Sequence, residues 1–253
     1  MSVFIKHGSA RQIAFEAAGL TDLASAGAAV AELTWVKDTS LATRTIDQAP
    51  PTAKHAHEFG AMLARLHDHG HDRVFGQAPP HFDLDEHEWG TMGNELLPLV
   101  TSGERTLGEF YADDRTLPYV KLARDNGAIS RTGANSIESL CEKLRDGKFD
   151  TGDRPSILHG DLWSGNVLWS PHGGVLIDPA SHAGHRESDL AQLTVFGVPH
   201  WEEIVTGYES VHELADGWRE RHGLHQLHIL IIHASLFGGS YGAQTVSTAS
   251  RYL

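Results

Sequence analysis

The sequence has a single cysteine, Cys141, in 253 residues, so no disulfide can close within the chain and a reducing compartment suits it. It has no run of eighteen apolar residues, which leaves no stretch long enough to read as a membrane helix. The N-terminal stretch MSVFIKHG lacks the basic residues, apolar core and cleavage site of a secretory leader; the expectation is a cytoplasmic protein that contacts no membrane. Positive charge is scarce too. The 20 Lys and Arg stand against 33 Asp and Glu, a net charge of −13, which argues against a nucleic-acid surface built on clustered cations. Any anionic ligand therefore needs local help, from a metal ion and one or two placed cations. Repeats and low-complexity tracts are absent as well. What remains, 40% apolar and 21% charged, is an enzyme-sized globular chain able to bury a substantial core. Cys141 itself reads as a small packed residue on a helix.

Periodicity organises most of the chain. Val3-Phe4-Ile5 is β-like, residues 10 to 26 have a helical pattern that stops at Gly27, and two β-like runs, 31 to 36 and 41 to 46, flank a turn at 37 to 40. Pro50-Pro51 then breaks the pattern, a natural boundary between a small first lobe (1–49) and the rest (50–253). From Thr52, the residues Phe59, Met62, Leu63 and Leu66 form one apolar stripe of a helix ending near His67. The span 70 to 94 reads as loops with short helical pieces, and 105 to 125 and 134 to 147 as helices. Three short apolar runs follow, at 157–158, 167–169 and 175–177, the last two joined by a turn. From Ser188 onward the pattern is helical, interrupted at Gly197-Val198-Pro199 and Gly238-Gly239.

Between the first two of those runs lies His159-Gly160-Asp161-Leu162-Trp163-Ser164-Gly165-Asn166, and Asp178 comes directly after the third. Phosphoryl transfer to an alcohol asks for a carboxylate that accepts the hydroxyl proton and for oxygen ligands that hold Mg²⁺ against nucleotide phosphates. Asp161, Asn166 and Asp178 match those needs in type and order, and Mg²⁺ takes few protein ligands. The pattern H-G-D-x-x-x-x-N arises by chance in roughly one chain in a thousand of this length. Turn capping by Asp161 and Asn166 is therefore the weaker reading.

These residues, with Ile177-Asp178-Pro179-Ala180 and Gly184-His185-Arg186-Glu187-Ser188-Asp189-Leu190-Ala191, closely resemble the fructosamine-3-kinase (ketosamine-3-kinase) family. That family belongs to the aminoglycoside and choline phosphotransferase group within the protein-kinase-like fold. Trp163-Ser164 favours this family over its neighbours, and the resemblance extends over most of the chain from residue 52. It implies an α+β, two-lobed fold with a truncated small N-terminal β lobe and a mainly helical C-terminal lobe. It implies ATP and Mg²⁺ as cofactors, Asp161 as proton acceptor, and Asn166 and Asp178 as metal ligands. His159 belongs with the support of the catalytic loop. Lys6 looks like the family's nucleotide lysine and Glu16 like its helix partner, while residues 41 to 46, with Arg44 and Ile46, stand where the hinge bonds adenine.

On the acceptor side, Trp163 is either a face for a sugar or amine or a packing residue. Asp189 is read as bracing the catalytic loop, Glu187 as bracing it or holding a cationic amine, and Arg115 and His185 as weaker substrate candidates. The expected acceptor is a ketosamine such as a fructosamine or ribulosamine, free or protein-bound, phosphorylated so that the adduct decomposes. An aminoglycoside or amino alcohol is the alternative acceptor, and a catalytically impaired binding protein is the reading from another class. The last arises because five residues precede Lys6, too few for a Gly-rich hairpin. Either the start lies upstream, or nucleotide binds without that flap, or catalysis is lost; survival of Asp161, Asn166 and Asp178 together makes the last the least economical. The oligomeric state is left open. Eighteen histidines invite a metal reading, but the cluster at 67–72 has the wrong order for a metallohydrolase and follows a helix end. His225, His228 and His233 lie in a helical pattern and read as core or surface residues.

Overall fold

The computed structural model describes residues 2–87, 89–93 and 95–253. In chain order the elements are β1 (Val3–His7), α1 (Ala10–Ser25), β2 (Leu33–Lys37), β3 (Ser40–Arg44), α2 (Ala53–His67), α3 (Leu84–His87), β4 (Gly90–Met92) and β5 (Glu95–Leu97). They continue with α4 (Leu107–Asp113), α5 (Leu117–Asp125), α6 (Arg131–Arg145), β6 (Ser156–Leu158), β7 (Val167–Ser170), β8 (Gly173–Leu176) and β9 (His182–Gly184). The chain ends with α7 (Arg186–Leu193), α8 (Trp201–Glu209), α9 (Trp218–His225), α10 (Leu227–Phe237) and α11 (Ser240–Ser250). The fold is α+β, with a small N-terminal sheet and a helical C-terminal part. Two compact units divide it: Met1–Ser102 with Pro155–Ala215, and Gly103–Arg154 with Asp216–Leu253. Among the described residues no helix is long and apolar enough to cross a membrane.

Among the described residues, the first unit holds every sheet. The strands β1, β3 and β2 form an antiparallel sheet in that order, with Lys6 opposite Leu41 and Lys37 opposite Ser40 across a two-residue turn. Ser9 caps α1, and its side chain and that of Gln12 satisfy each other's backbone N–H groups, which starts the helix one residue before its first apolar face. Ile13 and Ala17 of that face pack on Leu41, so the same turn of α1 brings Glu16 over Lys6. Thr52 caps α2, whose Phe59, Leu63 and Leu66 are buried, with Met62 at the edge of the stripe. The α2–α8 crossing runs through glycines: a Cβ at Gly60 would lie 1.9 Å from the Ile204 carbonyl, and one at Gly207 would lie 1.9 Å from that of His57. Any side chain there forces the helices apart.

Two short ladders carry the loop of interest, β6 with β9 and β7 with β8. The second is tied to the chain ahead of β2, because Ala31 N–H donates to the Leu176 carbonyl and Leu176 N–H to that of Ala29, both at 2.9 Å.

The second unit is all helix. Leu107, Tyr111, Ile137 and Leu140 are buried, together with the Ile229–Ile232 stretch of α10. Cys141 is wholly buried and its thiol is pushed up to about 12 by that burial, which leaves it a packing residue.

Several elements depart from the periodicity reading. The strand expected over 41 to 46 ends at Arg44, so Ile46 lies beyond it. Within 70 to 94, α3 is a helical piece, but β4 and β5 make a hairpin that three-residue strands are too short to announce; residues 88 and 94 lie outside the described residues. The strand β9, His-Ala-Gly, has no β-branched residue to signal it. The helical span 105 to 125 is two helices, broken at residues 114 to 116, and Pro118 in the first turn of α5 has no N–H with which to continue α4. Ser130 starts α6 earlier than expected, by accepting the Gly133 N–H.

Candidate active site

The chain leaves β6 through His159 and turns at Gly160, whose φ is +82° and whose Cβ, were there one, would sit 2.2 Å from the Ala180 carbonyl. Only glycine fits there. Asp161 follows, then a single 3₁₀ turn at Ser164–Asn166 folds the chain back so that Asn166 Nδ2 donates to both the Asp161 carbonyl (2.7 Å) and its Oδ2 (3.2 Å). Burial pushes the Asp161 carboxyl up to about 7; the Asn166 bond opposes this, and the charges of Asp178 and Asp189 add to it. A carboxylate poised near neutrality is suited to taking up and releasing a proton.

His159 Nε2 donates to the Ile177 carbonyl at 2.8 Å, which leaves Nδ1 as the acceptor for the Asp161 N–H at 3.3 Å. The imidazole is neutral in that role, in keeping with burial driving its pKa down. Asp189, fully buried on α7, accepts the His159 N–H (2.7 Å) on Oδ2 and the Gly160 N–H (3.0 Å) on Oδ1. His67 Nε2 donates to the same Oδ2 at 3.2 Å, and its Nδ1 takes the Tyr208 hydroxyl at 2.9 Å. The histidine cluster at 67–72 thus contributes one buried member to the loop's support. Neither His67 nor Tyr208 carries a local signal; only their partners 122 and 141 positions away reveal them.

Asp178 ends the β7–β8 hairpin with a φ of +52°, a left-handed conformation that non-glycine residues rarely adopt and that recurs at functional sites. Its Oδ1 meets Lys6 Nζ at 3.0 Å, and Lys6 meets Glu16 at 2.6 Å. Burial lowers the affinity of Lys6 for its proton, but the two carboxylates outweigh it and hold the ammonium above its ordinary value. Lys6 is therefore a charged group.

Two cavities meet at Lys6, Glu16 and Asp178. One, of about 240 Å³, is walled by Phe4, Leu20, Ala31, Leu41 and Leu168, with Arg44 and Ile46 at its rim. The Arg44 guanidinium is held by Glu32 at 2.9 Å. The other, of about 350 Å³, is lined by Gln12, Asp161, Trp163, Asn166 and the β4–β5 turn at Met92-Gly93. Gln12 Nε2 donates to the Gly93 carbonyl at 3.0 Å and ties that turn to α1. Trp163 lies over Gly165, where a Cβ would be 2.0 Å from the indole, and meets Phe196 edge-on at 5.7 Å. Of the other acceptor-side candidates, His185 and Glu187 are buried at the start of α7, where His185 accepts the Glu187 N–H at 3.3 Å. They line neither cavity. Arg115, in the second unit, is buried against the Phe110 ring at 4.5 Å and also lines neither.

The donor set fits a small hard cation. With its nitrogen committed to Asp161, Asn166 offers its amide oxygen, and Asp178 offers a carboxylate in the same cavity.

The architecture is shared with a macrolide 2′-phosphotransferase type I, at 15% identity and a TM-score of 0.58 over 95% of this chain and 78% of that one. Sheet, loop and hairpin thus share the fold of that phosphotransferase. The sequence pattern of the fructosamine kinase family matches residues 2–253, and the chain belongs to that family of phosphotransferases. A probable ketoamine kinase of Vibrio parahaemolyticus is 31% identical over 213 residues, which are 84% of this chain and 67% of that protein. A crystal structure of a candidate fructosamine-3-kinase from Thermobifida fusca is 37% identical, with a TM-score of 0.89 over 99% of this chain and 85% of that one. The chain spans about two thirds of the length of the curated relatives it matches. Membership of a kinase family implies ATP as the phosphoryl donor.

Proposed function

We propose that this chain transfers the terminal phosphoryl group of Mg·ATP to a sugar hydroxyl of a ketosamine, a fructosamine or ribulosamine on a small amine or a protein, in a cytoplasmic repair reaction that lets the adduct decompose. The observation that carries this reading is the Asp161 carboxylate, lifted to about 7 by burial and facing a cavity of about 350 Å³ that Asn166, Asp178 and Lys6 also line.

The apolar cavity takes the adenine, with main-chain groups around Arg44 and Ile46 as its hydrogen-bonding edge; residues 1–49 act as the small lobe and 50–253 as the remainder. Lys6, kept charged by Glu16, binds phosphate oxygens at the junction of the two cavities. Asn166 and Asp178 hold Mg²⁺, which when bound neutralises charge on the transferred group. Asp161 accepts the proton of the acceptor hydroxyl while that oxygen bonds to phosphorus and the bond to ADP breaks. His159 and Asp189 keep the loop in place through its backbone. Trp163 gives the sugar an immobile aromatic face, and the surrounding carboxylates favour a substrate with a cationic amine.

The test is ADP production with Mg·ATP and a panel of fructosamine, ribulosamine and aminoglycoside acceptors. Turnover of the two ketosamines is the expected result. Turnover of the aminoglycoside alone overturns the acceptor assignment, and no turnover with any acceptor overturns the kinase reading.

A further inference from the structure

Gln192 lies one turn beyond Asp189 on α7, is buried, and lines neither cavity. Its side-chain amide spans the two peptide groups that flank Asp161. The Leu162 N–H donates to Oε1 at 2.7 Å, and Nε2 donates to the Gly160 carbonyl at 3.3 Å. The other two polar groups of those peptides are also engaged. The Asp161 N–H goes to His159 Nδ1 (3.3 Å), and the Asp161 carbonyl accepts from Asn166 Nδ2 (2.7 Å) and from the Trp163 N–H (3.1 Å).

With both peptide planes held, the φ and ψ of Asp161 have little freedom, and the direction of its Cα–Cβ bond is set by its flanks. Of His159, Asn166 and Gln192, Gln192 alone grips both planes. The task needs an acceptor at one end and a donor at the other, which an amide supplies and a carboxylate does not. Turning the amide over would set oxygen against oxygen and N–H against N–H, so its orientation follows from its partners. Gly160 leaves this backbone intrinsically loose, which is why an external grip matters here.

Resting on the kinase reading above, we propose that Gln192 is a positioning residue for phosphoryl transfer: it holds the peptides on either side of Asp161 so that the carboxylate stands at the acceptor hydroxyl, without touching nucleotide or acceptor itself. Its loss misplaces the base and leaves the other walls of both cavities in place. A displacement of about 1 Å at a reacting group costs on the order of a hundredfold in rate.

The experiment measures kcat, and KM for ATP and for the ketosamine, in Gln192→Met and Gln192→Glu beside the unaltered protein, with the Kd for Mg·ATP and the melting temperature of each. Methionine keeps the length and removes both hydrogen bonds; glutamate keeps an acceptor for Leu162 N–H and loses the donor to Gly160. The expected result is a fall in kcat of about tenfold to a hundredfold for Gln192→Met and a smaller one for Gln192→Glu. KM and Kd should stay within about threefold, because Gln192 lines neither cavity and Asp161 is the one wall residue it holds. A kcat within about twofold of the unaltered protein in either folded variant overturns the proposal, as does a loss carried by KM alone. If Gln192→Met does not fold, Gln192→Glu decides; if neither folds, the residue is structural and the proposal fails. Absence of turnover in the unaltered protein removes the kinase reading and this one with it. Equal turnover in all three removes only this one.

Discussion

The two cavities that meet at Lys6 are built from opposite materials. One is walled by Phe4, Leu20, Leu41, Leu168 and Ile177, side chains from a sheet, a helix and a hairpin that present apolar surface and no carboxylate except at the shared corner. The other places Asp161, Asn166 and Asp178 around a similar space, with Trp163 as its one large aromatic wall. An apolar slot suits a flat heterocycle, since binding there follows from area removed from water. A cavity of partly buried carboxylates suits charge that moves during reaction, because fixed dipoles act most strongly where water is scarce. On the proposed reading, holding the nucleotide and acting on the acceptor fall in separate cavities. Lys6, Glu16 and Asp178 are the only lining residues common to the two among those described.

That separation can be broken on one side at a time. Replacing the base breaks the polar side: Asp161→Asn should lower kcat about a thousandfold while Mg·ATP binding stays within about threefold. A parallel loss of nucleotide affinity in a titration would show that the two cavities are not independent. The apolar side is tested by Leu168→Trp, which fills the slot. It should raise the KM for ATP about tenfold and leave kcat within about twofold, read from initial rates at saturating ketosamine.

The smallest effect is one of stability and sharpens the comparison, because the apolar side has no counterpart to it. The folded state raises the Asp161 pKa to about 7, so it binds that proton more tightly than the unfolded chain does. The resulting stability is fully present below the unfolded carboxyl range and is lost as pH rises through about 7. Without magnesium, Asp161→Asn should therefore melt on the order of 5 °C above the unaltered protein at pH 8, and the gap should close by about pH 4. A gap that is constant with pH would mean that the carboxylate is not strained by its surroundings.

Legibility in the sequence follows distance along the chain. Asp161, Asn166 and Asp178 could be read together because a loop and the hairpin after it put them within eighteen positions, and the pairing of Val167 with Leu176 aligns them locally. The amphipathic stripe of α2 was equally local. The hairpin β4–β5 and the strand β9 were not, for three residues span only one and a half periods of the strand alternation and their stability comes from what covers them. Arg115, His185 and Glu187 show the other side of this. His185 and Glu187 stand in a stretch that suggests a site, yet they and Arg115 are all buried away from both cavities.

By itself the sequence determined the class of chemistry: an acid–amide–acid triplet with fixed spacing is a property of one short stretch of chain and survives whatever surrounds it. Only the tertiary structure decided how that triplet is held. The Lys6–Glu16 pair meets Asp178 from more than 160 positions away, His67 is gripped by a tyrosine 141 positions away, and Gln192 reaches back 30 positions to Leu162. Such contacts belong to packing, which brings together residues whose spacing along the chain carries no periodic signal. The amide of Gln192 becomes a clamp only once α7 lies beneath the loop.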